Sequence, residues 1–379
     1  MKLSKPLAPS TTIGIVGAGQ LGKMIACSAQ KMGYKVATYD PNPTSCAFAV
    51  SNWYKVAAFN DREALLEFAR SVDVLTYEFE NIDGPLIEEI AQDTDCFLPQ
   101  GSKLLLLSQN RLTEKNWLSS IGLPVVNYEA VLSQDDLKKA LTTIGLPAIL
   151  KTTRLGYDGK GQIRITDSTD VTEKKEEINR LLESPCVLEA KCSFELECSV
   201  MVSRDQSGTI ELFPISENVH RSGILHSSLV PARISQVIRD DIHLMARKIA
   251  EEGQLVGVLG IEFFIEKTPS GEKVFINELA PRPHNSGHYS IEACNFSQFD
   301  QHVVAITGRP LASIKLLSPV LMVNLLGQDM PLVKDIWQNE KNAVVHLYQK
   351  GEAKVGRKMG HVTFLDSTVE KVIKKADLW

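Results

Sequence analysis

The chain has 379 residues, of which 44% are hydrophobic and 23% charged, and these values exclude disorder, collagen and coiled coil as the main architecture. At about 100–200 residues per domain, this length indicates two or three domains. The formal net charge of -5 shows no basic excess, which argues against a dedicated nucleic-acid-binding protein.

The N-terminus lacks the apolar core of a secretory signal, and no window approaches 18 uninterrupted apolar residues, so we expect no membrane span. The seven cysteines are scattered and form no C-x-x-C pair. This pattern is typical of reduced thiols in a cytoplasmic protein rather than of disulfides or zinc ligands.

Residues 11–100 alternate between strand and helix patterns. The predicted strands are Thr12–Val16, Tyr34–Tyr39 and Val72–Tyr77, and the predicted helices are Leu21–Met32, Asp61–Ser71 and Pro85–Gln92. Repeated strand–helix units predict an open parallel sheet.

Beyond residue 100 the pattern changes to helices followed by many short strands. Helices are predicted over residues 103–121, Asp135–Thr143, Val171–Leu182, Asp240–Glu252 and Thr368–Asp377. Strands dominate from Ala148 to Val202, and a strand pair at Val256–Ile265 and Lys273–Leu279 is joined by a turn over residues 268–271.

A first glycine motif, G-x-G-x-x-G at Gly17–Gly22, lies between a predicted strand and a predicted helix. Asp40 follows 18 residues later, where a ribose-binding acid would lie. Backbone N–H groups at the start of a helix attract phosphate. This motif alone leaves three interpretations open: a dinucleotide site, a site for another phosphorylated ligand, or a structural turn.

A second glycine motif, Gly156–Gly161, lies between two predicted strands, so it is neither a Walker A loop nor a Rossmann loop, which both lead into a helix. Its three glycines allow the backbone to curl over an anion, and Lys151 and Lys160 add positive charge. The combination favours phosphate contact over a plain hairpin.

Two acids, Glu262 and Glu278, each interrupt an apolar strand. A hairpin centred on residues 269–270 would place Glu262 opposite Asn277, one register step from Glu278. Buried anions need a cation, and a set of oxygen ligands suits Mg²⁺, which typically also bridges substrate phosphates. The alternative is that one of the acids faces solvent.

The segment Pro281–His288 directly follows these acids. His284 and His288 have the i, i+4 spacing of a helical zinc pair, but the prolines and Gly287 disfavour a helix there. We interpret the segment as a substrate-positioning loop in which Arg282 is suited to bidentate anion binding.

These segments together resemble the ATP-grasp enzymes and, within them, the N5-carboxyaminoimidazole ribonucleotide synthetases of purine biosynthesis. The resemblance runs from Gly14 to about His361 and includes Tyr77–Ile82 and Gly356–His361. It implies an ATP-grasp fold of the α/β and α+β classes, with a Rossmann-like pre-ATP-grasp domain (parallel sheet) at 1–107. An ATP-grasp domain at 108–310 would carry a mobile lid at about 123–190, and a small β-rich domain would cover 311–379.

The resemblance implies ATP-dependent carboxylation of 5-aminoimidazole ribonucleotide with bicarbonate through carboxyphosphate, releasing ADP and phosphate. ATP would be a substrate, with Mg²⁺ as the metal and Mn²⁺ as its alternative. The family also implies a cytoplasmic homodimer whose product passes to a mutase, with no nucleic-acid or membrane partner.

The resemblance assigns a role to each matching site residue. The implied ATP contacts are Arg111, Lys151, Gly156, Tyr157, Asp158, Gly159, Lys160, Gly161, Gln162, Glu189, Ala190, Lys191, Cys192, Glu197, His220, Asn277 and Glu278. Glu262 and Glu278 would bind the metal, while Tyr157, Arg282 and His284 would face bicarbonate and the reacting amine. The implied ribotide contacts are Gln20, Leu21, Glu78, Asn285, Lys350, Arg357 and Lys358.

On this interpretation Gly17–Gly22 binds the 5′-phosphate of the ribotide rather than NAD. Three competing functions are an ATP-grasp phosphoribosylglycinamide formyltransferase that uses formate, an NAD-dependent dehydrogenase built on Gly17–Gly22, and a catalytically silent nucleotide-binding regulator. The dehydrogenase leaves the second glycine motif and the acid pair unexplained.

Overall fold

The computed structural model describes residues 5–154, 156, 161–269 and 271–375, and the strands of this part form three sheets. The first sheet is entirely parallel, with strand order β3-β2-β1-β4. Its elements are β1 (Thr12–Val16), α1 (Gln20–Lys31), β2 (Lys35–Asp40), β3 (Trp53–Val56), α2 (Arg62–Arg70), β4 (Val74–Tyr77) and α3 (Gly84–Thr94). The predicted parallel sheet is confirmed, and β3 is a strand that the sequence pattern did not predict.

Apolar side chains cover both faces of this sheet, as its nearly continuous hydrophobic strands require. One face packs against α1 through Ile13 and Ile25, and the other packs against α2 through Leu75 and Phe68.

The prediction of one helix over residues 103–121 is wrong, because two helices, α4 (Lys103–Ser108) and α5 (Arg111–Ser120), cover this stretch. The Asn110 side chain accepts hydrogen bonds from the amides of Leu112 and Thr113, at 3.0 and 3.1 Å. An asparagine in this position caps a new helix start, so α5 begins at Arg111.

A second, four-stranded antiparallel sheet has strand order β5-β8-β6-β7. We call it the lid sheet because its strands lie within residues 123–190, the range predicted for the lid. Its elements are β5 (Tyr128–Val131), α6 (Gln134–Ile144), β6 (Ala148–Thr152), β7 (Gln162–Ile165), α7 (Ser168–Glu173), α8 (Lys175–Leu181) and β8 (Cys186–Ala190). The single helix predicted over Val171–Leu182 is thus two short helices. Leu137, Leu150 and Ile178 are part of the apolar core of this unit.

The third sheet has nine strands, ordered β14-β13-β9-β11-β12-β15-β17-β16, with β10 also pairing with β9. Its strands are β9 (Leu196–Arg204), β10 (Ile210–Leu212), β11 (Ser216–Arg221), β12 (Ile224–Val230), β13 (Gly257–Thr268), β14 (Gly271–Ala280), β15 (Val320–Leu326), β16 (Ala343–Leu347) and β17 (Lys358–Leu365). The accompanying helices are α9 (Gln236–Glu252), α10 (Ser290–Ala293), α11 (Gln298–Ile306), α12 (Leu332–Asn339) and α13 (Val369–Ile373). Because β12 pairs with β15, the C-terminal strands extend the same sheet as the central ones.

The hairpin of β13 and β14 corrects the predicted register. Glu262 lies opposite Glu278 rather than Asn277, and the next residue, Phe263, lies opposite Ile276. Asn277 is therefore the extra residue of a β-bulge. The bulge places the two acids directly across from each other.

Among the described residues, none of the helices combines the length and the apolar character needed to cross a membrane.

Candidate active site

A cleft of about 380 Å³ is lined by the lid sheet, the nine-stranded sheet, α5 and the segment after β14. It brings together many of the predicted site residues from distant parts of the chain: Arg111, Lys151, Gly156, Gln162, Glu197, His220, Glu262, Asn277, Glu278, Arg282, His284, Asn285 and Lys358. Tyr157, Asp158, Gly159 and Lys160 lie outside the described residues.

Arg111 connects the glycine loop to the acid pair. Its Nη2 donates to the Gly156 carbonyl oxygen at 3.1 Å, and its Nη1 lies 3.5 Å from Glu278 Oε2. Arg111 is the first residue of α5, and the Asn110 cap fixes the backbone from which the Arg111 side chain extends. One guanidinium therefore joins the predicted phosphate loop and the predicted metal ligands.

Lys151 is held by a buried ion triad. Its Nζ lies 2.7 Å from Glu189 Oε2, and Lys115 Nζ lies 3.2 Å from Glu189 Oε1. Burial alone would raise the pKa of Glu189, but the two ammonium groups outweigh it and lower the pKa to about 2. The Glu189 side chain is committed to the lysines, and only its backbone is left for a nucleotide.

The predicted ATP contacts at residues 189–192 are not among the described residues that line the cleft. The amides of Ala190 and Lys191 donate to the carbonyls of Asn127 and Pro147, at 2.8 and 3.0 Å. Cys192 is half-buried, and burial raises the pKa of its thiol to about 11. An ATP contact along this stretch stays a prediction.

The acids Glu262 and Glu278 lie in an environment with an excess of negative charge. Burial, followed by the Glu278 carboxylate, raises the pKa of Glu262 to about 7. Asn277 Nδ2 donates to Glu262 Oε2 at 3.1 Å, which leaves oxygen atoms of both acids available. This donor set fits a hard divalent cation that takes its remaining ligands from phosphate oxygens.

Within the described part of the chain, no group of three or more His, Cys, Asp or Glu side chains could hold a metal ion. The residues between His284 and His288, Asn285–Gly287, form one 3-10 turn, so the pair does not have the helical geometry of a zinc site.

Glu197 and His220 form a second polar pair in the cleft, with 2.5 Å between Glu197 Oε2 and His220 Nδ1. Burial lowers the pKa of His220, but the Glu197 carboxylate outweighs burial and raises it above its usual value. The pair can present an oriented carboxylate to hydroxyl groups such as those of a ribose, in keeping with the ATP contacts that the resemblance implies for both residues.

Arg282 and His284 lie side by side after β14. Arg282 donates from Nε to Glu80 Oε2 at 2.9 Å and from Nη2 to the same oxygen at 2.5 Å. His284 Nε2 lies 3.5 Å from Glu262 Oε1. Burial and then the Arg282 charge keep the pKa of His284 well below its usual range, so the ring is neutral near pH 7.

The first glycine motif is occupied by two carboxylates. The Ala18 amide donates to Asp40 Oδ2 and the Gly19 amide donates to Glu78 Oε1, both at 2.8 Å. A Cβ on Gly17 would lie 2.7 Å from Glu78 Cγ, so this glycine is needed for the close approach of Glu78. Asp40 is therefore used within the fold, in contrast to a ribose-binding acid.

The predicted ribotide residues differ in their surroundings. Leu21 is buried in the core of the first sheet, which leaves only its backbone for a ligand, while Gln20 is half-buried at the start of α1. Both side-chain polar atoms of Asn285 are buried without a hydrogen-bond partner among the described residues, although Asn285 lines the cleft. Such orphaned atoms mark a place where a ligand or water completes the hydrogen bonds.

Three predicted cations, Lys350, Arg357 and Lys358, lie close enough to repel one another. Burial lowers the pKa of Lys350, Glu78 opposes this change, and the charges of Arg357 and Lys358 add to it. A cluster of this kind suits a phosphate.

Four charged residues at the cleft or its wall were not predicted from the sequence: Glu80, Glu114, Lys115 and Arg154. Lys115 follows Arg111 at i+4 on α5, a spacing that indicates a shared helix face. Glu114 Oε2 accepts from the Leu279 amide at 3.1 Å, and burial and then Glu278 raise the pKa of Glu114 to about 8.

Three family models match the chain in order. They are the ribonucleotide synthetase preATP-grasp domain over residues 10–108, the ATP-grasp domain over 116–299 and the phosphoribosylaminoimidazole carboxylase C-terminal domain over 320–375. The fold and the cleft therefore define an ATP-grasp enzyme.

Individual similar proteins indicate which family of ATP-grasp enzymes the chain belongs to. N5-carboxyaminoimidazole ribonucleotide synthase of Bacillus subtilis is 46% identical over 97% of this chain and 94% of its own. The Staphylococcus aureus synthetase complexed with ADP superposes with a TM-score of 0.92 at 42% identity, covering 98% of each chain. The Aspergillus clavatus synthase in complex with ADP and aminoimidazole ribonucleotide has a TM-score of 0.88 at 28% identity, over 98% of this chain and 100% of that one. The chain belongs to the N5-carboxyaminoimidazole ribonucleotide synthase family, as the sequence resemblance predicted.

Proposed function

We propose that this chain carboxylates 5-aminoimidazole ribonucleotide with bicarbonate at the expense of ATP, releasing ADP and phosphate. The observation that carries this proposal is the position of Arg111, which contacts both the Gly156 carbonyl and Glu278. Gly156 and the acid pair line one cleft with Arg282, His284 and Asn285. The relatives complexed with ADP, and with ADP and the ribotide, support the choice of ligands.

In the first step, a bicarbonate oxygen forms a bond to the γ-phosphorus of ATP, and the bond from that phosphorus to the β–γ bridging oxygen breaks. The products are ADP and carboxyphosphate. Arg111 and Lys151 would balance charge on the phosphoryl oxygens. Glu262 and Glu278 would hold Mg²⁺, or Mn²⁺ in its place, which supplies further charge neutralisation when bound.

In the second step, the bond between carbon and the bridging oxygen of carboxyphosphate breaks, giving carbon dioxide and phosphate. The exocyclic amine of the ribotide then forms an N–C bond to carbon dioxide and loses a proton to phosphate. Since carboxyphosphate is unstable in water, a lid that closes over residues 156–161 would protect it.

Arg282 would orient bicarbonate, with Glu80 fixing the direction of its guanidinium. The ribotide would lie across Gln20, the Leu21 backbone, Glu78 and Asn285, with its phosphate at Lys350, Arg357 and Lys358. The Ala18 and Gly19 amides already donate to carboxylates, which favours the basic cluster over Gly17–Gly22 as the phosphate site.

We further propose a cytoplasmic homodimer whose product passes to a mutase of the same pathway, without a nucleic-acid or membrane partner. The net charge of -5 supports the lack of nucleic-acid binding. Sedimentation of the purified chain tests the dimer directly.

The decisive experiment is a coupled assay of ADP formation with aminoimidazole ribonucleotide and bicarbonate omitted in turn. We expect full turnover only with both. ADP formation that ignores the ribotide, or that instead requires formate and glycinamide ribotide, would point to another acceptor. Tight binding of NADH in a fluorescence titration would favour the dehydrogenase alternative.

A further inference from the structure

A series of hydrogen-bonded, buried side chains ends at the ring of His284. Ser228 Oγ donates to Asn218 Oδ1 at 2.8 Å, and Asn218 Nδ2 donates to Ser199 Oγ at 2.8 Å. Ser199 Oγ donates to Ser286 Oγ at 2.6 Å, and Ser286 Oγ lies 2.9 Å from His284 Nδ1. All four of these residues behind the histidine are almost completely buried.

The direction of this chain follows from its members. An amide nitrogen can only donate, so Ser199 Oγ accepts from Asn218. Ser199 Oγ donates its one proton to Ser286 Oγ, so in its 2.7 Å contact with Ser216 Oγ it accepts. Ser286 then has its hydroxyl proton free for His284 Nδ1. The main-chain amide of Ser286 also points at Nδ1, at 3.4 Å, and this group can only donate.

The position of the ring is fixed by Gln298 as well. Gln298 Oε1 accepts from the His284 amide at 2.9 Å, and Gln298 Nε2 donates to the His284 carbonyl at 2.8 Å. Both main-chain polar groups of His284 are thus held by one buried side chain, which fixes the backbone that carries the ring. Turning Nδ1 toward the cleft would break its contacts with Ser286.

We propose that Ser286 and Ser199 are positioning residues that hold His284 as the Nε2–H tautomer, with this N–H directed into the cleft. Nδ1 receives two donors and therefore carries no proton, so the ring proton lies on Nε2. Nε2 lies 3.5 Å from Glu262 Oε1, beyond an ordinary hydrogen bond, so its proton is available to a bound ligand.

This inference rests on the proposed function and assigns His284 one part of it. His284 donates a hydrogen bond to an oxygen of bicarbonate or carboxyphosphate, where negative charge develops. It does not take the proton of the ribotide amine, because the only nitrogen without a proton faces Ser286. That proton goes to the phosphate released from carboxyphosphate.

The tautomer is measured by ¹⁵N NMR of the full chain labelled at its histidine rings. The chain has eight histidines, and the His284→Gln variant identifies the signal of this one. We expect a protonated Nε2 and an unprotonated Nδ1 in the free protein. A proton on Nδ1 overturns the proposal, and this readout needs no turnover, so it is independent of the proposed substrate.

The role of the hydroxyl chain is tested with Ser286→Ala. We expect a mixture of tautomers and a kcat about tenfold lower, with the KM for ATP changed less than twofold, as expected when one hydrogen bond is lost in the transition state. Ser216→Ala is the matched control, since Ser216 is equally buried and contacts Ser199 without lying between Asn218 and His284. A loss of kcat in Ser286→Ala without a change of tautomer contradicts the positioning role, as does an unchanged kcat.

Discussion

The cleft and its wall contain two carboxylates with opposite surroundings, Glu189 and Glu262. Glu189 lies between Lys151 and Lys115, and these charges lower its pKa to about 2. Glu262 lies opposite another acid, and burial with that neighbour raises its pKa to about 7. The first carboxylate is balanced within the protein, whereas the second is balanced only when a cation arrives. Glu189 is therefore a structural carboxylate, and Glu262 is suited to bind a ligand.

The largest effect is expected from Glu278→Gln, which removes one acid of the unbalanced pair. Turnover should fall roughly 100- to 1,000-fold, as for the loss of one strong electrostatic contact in a transition state. The Mg²⁺ concentration for half-maximal rate should rise, measured by ADP release in a magnesium titration. Near-normal turnover at limiting Mg²⁺ would contradict the metal role.

Glu189→Gln should act mainly on stability, because it leaves two buried ammonium groups without their counter-charge. We expect the free energy of unfolding to fall by about 3 kcal/mol in denaturant titrations. Adding Lys115→Met to this variant removes one of the two unbalanced cations and should restore part of the loss. An unchanged stability of the single variant would show that the triad is not balanced as described.

Glu262→Gln should instead raise the free energy of unfolding when no metal is bound. The substitution removes a charge that burial and Glu278 disfavour, so the free energy of unfolding at pH 7.5 should rise by roughly 1–2 kcal/mol while activity is lost. Thermal unfolding with and without Mg²⁺ and nucleotide measures this. A variant less stable than the wild type in both conditions would mean that Glu262 is already balanced by the protein.

The smallest effect is a pH dependence. The folded pKa of Glu189 lies below its ordinary value of 4.5, so its ionised form stabilises the fold above about pH 5. That contribution is lost progressively as the pH falls toward 2. Between pH 7 and pH 4 the stability difference between wild type and Glu189→Gln should shrink by roughly 1 kcal/mol. A difference independent of pH would argue against the lowered pKa.

The two glycine motifs show how far a pattern can be interpreted. Gly17–Gly22 has the spacing of a dinucleotide loop, but Asp40 and Glu78 occupy two of its amides. Gly156, from the second motif, lies in the cleft and contacts Arg111. The spacing of glycines indicates only that the backbone amides can bind an anion. Which anion they bind depends on residues distant in sequence, here the carboxylates of Asp40 and Glu78.

The sequence by itself determined the family, the parallel N-terminal sheet and the acid pair at the hairpin, because these depend on local periodicity and on contiguous motifs. It could not determine the exact pairing of Glu262 with Glu278, since a bulge of one residue at Asn277 shifts the register. It also could not reveal the partners of Glu189 and His284. Lys115, Ser199 and Asn218 are distant in sequence from the groups they support, and only the folded chain brings them within hydrogen-bonding or ion-pair distance.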